Sequence, residues 1–219
     1  MRLVNFFLLV FIFSAAFVSA QDKPSKIIEV YAEKVINIFK QTDTSKPRQT
    51  WESDLKDKLL DLADDVIDFN IMARMSLGVN WKKLDEAQQR EFVDLFIKML
   101  ENTYFTTIVD HMEEIKNYTM DNIKVTNEVA MSKVKTEVQS IIFSEDKKIP
   151  VNYRMAKTGD TWRCYDVYIE GISLVQNYRE QFNELMNKMT AEEMLTFLRN
   201  KVHKGEGFEI KGEKNAKVK

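Results

Sequence analysis

"TWRCYDVYIEGISLVQNYREQF", Thr161–Phe182, changes rhythm halfway along. As far as Ile169 the chain alternates, with Tyr165, Val167 and Ile169 on one side and Trp162, Cys164, Asp166 and Tyr168 on the other. That is the period of a β-strand. From Ile172 the apolar residues Val175, Tyr178, Phe182 and Leu185 recur at helical spacing. Glu170-Gly171 is the hinge between them. Ser173 reads as an N-cap or first-turn residue of the helix. Glu170 is a second candidate cap, because a carboxylate is favoured beside a helix N-terminus.

Upstream of this junction, a period near two extends back to about Asn117. "YTMDNIKV" reads as a short strand. "AMSKVKTEVQSIIF" alternates at Ser132, Val134, Thr136 and Val138. "IPVNYRM" puts Ile149, Val151, Tyr153 and Met155 on one face. "SEDKK" and "KTGD" are the turns. Connections this short predict an antiparallel meander of four strands. Outside the meander the pattern is helical. "PSKIIEVYAEKVINIF" carries Ile27, Ile28, Tyr31, Val35, Ile38 and Phe39, with Pro24 suited to a first turn. "WESDLKDKLLDLADDVIDF" carries Leu55, Leu59, Leu62 and Val66, and Gly78 closes a later helix. The longest periodic stretch begins at a capping-box pair, Asp85 and Gln88, and its wide apolar arc suggests that it covers the sheet. After Phe182 a further helix starts at a second such pair, Thr190 and Glu193. The fold class read here is α+β: a twisted four-stranded antiparallel meander packed against several helices.

Of the 219 residues, the first 20 read as a secretory signal. One cation, Arg2, precedes an apolar run from Leu3 to about Phe17, and Val18-Ser19-Ala20 offers small residues for cleavage. The run is short for a membrane span; an uncleaved anchor is the other reading. Cleavage puts the mature start at Gln21, the domain at residues 21–203 and a charged, disordered tail at residues 204–219. With Arg2 gone, 31 of the 32 basic residues face 34 acidic ones, a net charge of −3, which disfavours nucleic acid as a partner. The lone cysteine, Cys164, leaves the exported chain without an internal disulfide, so the core alone must hold the fold. It reads as a small buried apolar residue.

Catalytic patterns are sparse. The two histidines, His111 and His203, have no metal-ligand partners at meaningful spacing, and no Gly-rich phosphate loop or nucleophile elbow occurs. No metal and no cofactor is expected. Asp166 and Glu170 are the best acid candidates, but four strand positions separate them by roughly 13 Å, too far for one acid/base pair. What remains is abundant apolar surface, which suits either a plain core or a core with room in it.

Two blocks carry a family resemblance. In Ala73–Tyr104 the matching residues are Leu77-Gly78, Trp81, Gln89, Phe92, Phe96 and Tyr104. In Thr161–Phe182 they are Trp162, Tyr165-Asp166-Val167, Glu170-Gly171-Ile172-Ser173 and Tyr178-Arg179. Together they resemble the MlaC, or toluene-tolerance, family of periplasmic auxiliary proteins of phospholipid-transport ABC systems. The resemblance extends more weakly over about residues 26–202. It implies an NTF2-like element merged with a helical part, a phospholipid ligand, and no enzymatic activity. It implies two partners, an outer-membrane lipoprotein–porin complex and an inner-membrane ABC lipid transporter, between which a monomer shuttles lipid through the periplasm. Acyl chains would lie in an apolar cavity between sheet and helices. Alternation combined with the resemblance nominates Tyr104, Val151, Tyr153, Tyr165, Val167, Ile169 and Ile172 as lipid-binding residues, with Glu170 at the cavity rim. Met99, Met112 and Met155 join them as adaptable lining. Two other readings stay open: a small exported NTF2-like enzyme using Asp166 or Glu170 with a Tyr, and an interaction module that binds no lipid.

Overall fold

A computed structural model describes residues 23–144 and 147–208 of the chain. The signal segment and the end of the tail (residues 209–219) lie outside the described residues, as do Glu145 and Asp146 of the "SEDKK" turn.

Among the described residues, seven α-helices and one sheet make up the fold. Helices α1 (Pro24–Gln41) and α2 (Arg48–Val66) form an antiparallel pair. Then come α3 (Phe69–Leu77), a 3-10 segment (Gly78–Lys83), α4 (Glu86–Asp110) and the single turn α5 (Met112–Ile115). Strands β1 (Ile123–Ser132), β2 (Lys135–Ser144), β3 (Lys147–Thr158), β4 (Thr161–Ile169) and β5 (Ile172–Ser173) follow, and α6 (Leu174–Met186) and α7 (Ala191–His203) close the chain. The sheet is antiparallel throughout in the order β1-β2-β3-β4-β5.

The α+β class agrees with the sequence reading, but the sheet has five strands rather than four. The fifth has two residues. Ile169 pairs with Ile172 across Glu170-Gly171, whose φ values of 51° and 84° are both positive. A two-residue hairpin loop of the type I′ kind has both φ values positive, so Glu170 is a turn residue and Ser173 is the true cap, accepting from the Gln176 amide at 3.0 Å. The first strands also shift. Met120–Asn122 is a short 3-10 turn, and the stretch read as one strand through Val134 bends at Lys133-Val134, where β1 hands over to β2. Polar residues that can point outward on an edge strand allowed either reading.

The apolar residues sort into a helical body and a sheet layer. In the body, α3, α4, α6 and α7 pack around Phe92, Phe96, Tyr178 and Phe182, all fully buried, with ring centroids 5.0–6.3 Å apart. Both capping boxes form, at Asp85/Gln88 and Thr190/Glu193, fixing where α4 and α7 begin. Contrary to the sequence expectation, α4 is not the cover of the sheet. Its first half joins the helical body, and its second half, with Phe105 and Ile108, packs with Phe39 of α1 and Leu55 of α2. One sheet face is covered instead by the α1–α2 pair. Ile27 and Ile28 of α1 pack on Val138, Met155 and Cys164. The chain between α2 and α3 is tied to β4, where Ile67 bridges Cys164 and the Asp68 amide donates to the Cys164 carbonyl at 2.8 Å. The Asp68 carboxylate then caps α3 through the Ile71 amide.

The expectation of a free tail from residue 204 is corrected for Lys204–Phe208. Phe208 is buried, its ring 5.4 Å from Phe182 and 6.1 Å from Tyr178. The chain reaches that pocket only by passing close to α4. A Cβ on Gly207 would stand 2.1 Å from Thr103 Oγ1 and 2.8 Å from its backbone nitrogen. The rigid helix backbone cannot give way, so Gly207→Ala should release Phe208. Loss of this buried ring predicts a destabilisation of about 2 kcal/mol, read as a lower urea midpoint. Phe208→Ala should give a similar loss, and the double variant little more; full additivity would count against a shared cause.

Candidate functional site: an apolar cavity between the α1–α2 pair and the sheet

The helical stripes read from the sequence converge here. From α1 come Ile28, Tyr31, Ala32 and Val35, and from α2 come Leu59, Leu62, Ala63 and Val66. Each set has i, i+3, i+4, i+7 spacing, so each forms one continuous face. Opposite them stand Ile67, Ile123, Ile142, Tyr153, Cys164 and Val167. Between the two walls is a cavity of about 290 Å³. No charged side chain contributes to its lining.

Three ionisable groups stand on the wall, and burial holds each neutral; it raises the Tyr31 hydroxyl, with Asp65 adding to the rise and Arg163 opposing it. Burial pushes the Tyr153 hydroxyl up to about 12, with Cys164 adding to the rise and a hydrogen bond to Ser140 opposing it. Burial likewise pushes the Cys164 thiol up to about 12, and the thiol donates to the Asp166 carbonyl at 3.3 Å. At neutral pH the cavity therefore presents hydrocarbon, a thiol and phenol rings. Such a surface offers dispersion contact and exclusion of water, with no anchor for a charge.

The nominated residues divide. Tyr153 and Val167 line the cavity. Val151 and Ile169, paired with each other, share that sheet face further along the strands but are not among the lining residues. Tyr165 is on the opposite face. The register slips at this point, so Met155 pairs with Cys164, Arg154 pairs with Asp166, and Tyr165 is the extra residue of a bulge. Its ring is buried under the Lys135 ammonium, 5.3 Å away. The bulge also brings Cys164 onto the cavity face with Val167, which strict alternation forbids. Tyr104 sits on α4 beside the Tyr178 hydroxyl, within the helical body. Of the three methionines, Met99 belongs to the helical body, Met112 to the cluster around Phe39, and Met155 packs beneath the cavity with Ile27 and Val138. In the sequence the cavity residues on α1 and α2 show only as helix stripes. Their matched spacing was the available signal.

A second recess, about 390 Å³, lies where β4, β5 and α6 meet. Ile172 borders it, 39 % exposed, and Glu170 projects from the adjoining turn into solvent. Arg154, Asp166 and Arg179 give it a mixed charge. Asp166 is buried, and both its oxygens are engaged: Ser173 Oγ donates at 2.7 Å and the Val175 amide at 3.1 Å. Its carboxylate thus ties strand β4 to the start of α6. Burial raises its pKa, while the bonds from Ser173 and Val175 pull the other way. The net upward shift means the folded state holds this proton more tightly than the unfolded chain. The burial penalty is therefore fully present at neutral pH and is relieved as pH falls through the raised value. Relative to Asp166→Asn, the wild type should gain stability on going from pH 7 toward pH 4, measured by urea unfolding at each pH. A gap that is constant or moves the other way would show that the carboxylate is not held above its unfolded value.

Among the described residues no helix is long and apolar enough to cross a membrane, and no group of three His, Cys, Asp or Glu is placed to hold a metal ion.

Comparison with known proteins agrees with this architecture. A solved structure described as a phospholipid-binding protein from Ralstonia solanacearum, in complex with a phospholipid, superimposes with a TM-score of 0.70 at 19% sequence identity. The match covers 84% of this chain and 99% of that one, and at such identity it establishes a shared fold. No curated protein matches the chain. The family model described as MlaC protein matches residues 29–200, which spans every element from α1 to α7 and both sequence blocks that carried the resemblance, and the chain belongs to the MlaC family.

Proposed function

We propose that this chain is a periplasmic phospholipid carrier that shelters acyl chains in the cavity beneath the α1–α2 pair and leaves the head group outside. The observation that supports this most directly is a cavity walled without a single charged side chain. Family membership and a shared fold with a phospholipid-bound protein point the same way. Under this reading the chain is secreted with residues 1–20 removed. It then moves as a monomer between an outer-membrane lipoprotein–porin complex and an inner-membrane ABC lipid transporter.

The energetics set what the wall must do. Each methylene withdrawn from water contributes about 0.8 kcal/mol, so two tails of roughly 30 methylenes represent more than ~20 kcal/mol. A volume of 290 Å³ is at the small end for ligand sites, so the cavity must widen to take whole tails. Helix α2 is the wall suited to yield. Among its 19 residues only Leu55 is buried, and no side chain caps its N-terminus. Its other end is pinned, since Arg163 donates to the Asp64 and Ile67 carbonyls. The cavity-lining residues Leu59, Leu62, Ala63 and Val66 lie between the Leu55 anchor and this pin and are none of them fully buried, so widening would bow this segment outward over the acyl chains.

Native mass spectrometry of protein purified gently from cells tests the reading. It should show about one phospholipid per chain, extractable by organic solvent. Protein that is always empty, and stays empty after incubation with phospholipid vesicles, would sink the proposal.

A further inference from the structure

Three of the five large apolar residues that stand exposed among the described residues crowd one corner of the sheet. They are Val129 (41 % exposed), Met131 (48 %) and Val134 (52 %), all at the tip of the β1–β2 hairpin. Exposed lysines surround them. Lys133 occupies the turn, Lys135 opens β2, and Lys157 reaches the tip from β3, its amide donating to the Val134 carbonyl at 2.9 Å. None of the three forms an ion pair among the described residues, and the Lys135 ammonium that lies over the Tyr165 ring has no carboxylate partner there. Trp162, half-buried, pairs with Lys157 just behind the tip. The nearest acids are few. Glu128 already accepts the Ser25 amide at 2.9 Å, Glu137 opposite Val129 is paired with Arg154 at 3.2 Å, and Asp160 lies in the neighbouring turn.

We propose that this hairpin tip is a docking surface for an anionic lipid bilayer, with Met131 and Val134 entering the head-group layer and Lys133, Lys135 and Lys157 facing the lipid phosphates. Apolar residues ringed by lysines, with an indole at the boundary, match both layers of a bilayer surface. Strand addition by a protein partner fits less well. Strand β1 is the edge of the sheet, but its register is broken twice, between Val125 and Asn127 and between Ala130 and Ser132. Bulges of this kind twist an edge away from further pairing. The surface lies outside the acyl cavity, since no tip residue lines it. It would hold the protein at a membrane independently of a lipid held inside.

Cosedimentation of the mature chain with vesicles of phosphatidylcholine, with or without half phosphatidylglycerol, tests this. The protein should pellet with the anionic vesicles only, and less so at high salt. Lys133→Gln should weaken binding about fivefold. Met131→Ser with Val134→Ser should weaken it at least tenfold while circular dichroism stays unchanged. Val167→Trp, which fills the internal cavity and leaves the tip intact, should pellet like wild type. The proposal is overturned if anionic vesicles leave the protein in solution or if the tip variants pellet undiminished. It is equally overturned if Val167→Trp abolishes pelleting, because uptake into the cavity would then explain the binding. A tip that only joins protein copies, with the variants dispersing an oligomer and no effect on vesicles, also refutes it. Failure at the tip leaves lipid occupancy near one, whereas failure of the carrier reading leaves the chain empty, so the two are separable.

Discussion

Val167→Trp should empty the protein of phospholipid. The position is on the cavity face of β4, opposite Tyr153 in the β3–β4 register, and borders open space while packing at its base on the cluster around Val138, Met155 and Cys164. An indole therefore enters the volume proposed to hold acyl chains. Overpacking a filled core costs about 1–3 kcal/mol, but here the added ring has somewhere to go, so the loss of stability should fall at the low end. Lipid occupancy by native mass spectrometry should drop at least tenfold from about one per chain. The control is Tyr165→Trp, two residues away but on the other side of the bulge, which should keep its lipid. Equal loss from both substitutions would mean that global damage, not cavity filling, displaces the lipid.

Phe96→Ala should produce the largest loss of stability. The ring is fully buried and touches three others, with centroids 5.3 Å from Tyr178, 6.2 Å from Phe92 and 6.3 Å from Phe182. Helices α4 and α6 carry these rings, and neither can close over the void without losing its other contacts. The expected cost is about 3–5 kcal/mol, against a total stability of order 5–15 kcal/mol for such a domain. Urea unfolding measures it. Phe96 is remote from the α1–α2 cavity, so the fraction still folded should carry lipid as wild type does. A loss below about 1 kcal/mol would mean that the aromatic cluster repacks and is not the keystone of the helical body.

Local chemistry made much of this molecule legible. The capping pairs at Asp85/Gln88 and Thr190/Glu193 and the cap at Ser173 form as written, because such caps need only residues three positions apart. The stripes on α1 and α2 were visible for the same reason, since a helix face is fixed by spacing along the chain. The strand-to-helix change around Gly171 was also visible, but its detail was not. Glu170 at positive φ, in a hairpin to a strand of two residues, goes against its own preference, and the pairing of Ile169 with Ile172 decides it.

The sequence alone determined the α+β class, the order of helices and strands, the helix caps and the family. These depend on periodicity and on residues close along the chain. Only the tertiary structure decided which helices cover the sheet, which strand face meets the cavity, and where Phe208 packs. The β4 bulge shows why. A single extra residue at Tyr165 turns the strand over, carrying Cys164 inward and Tyr165 outward, and alternation has no means of registering it. Phe208 likewise is one aromatic in a charged stretch until Gly207 lets the chain pass within contact of Thr103. Both outcomes depend on atoms brought together from distant parts of the chain, and the free energy of that meeting is written in no local pattern.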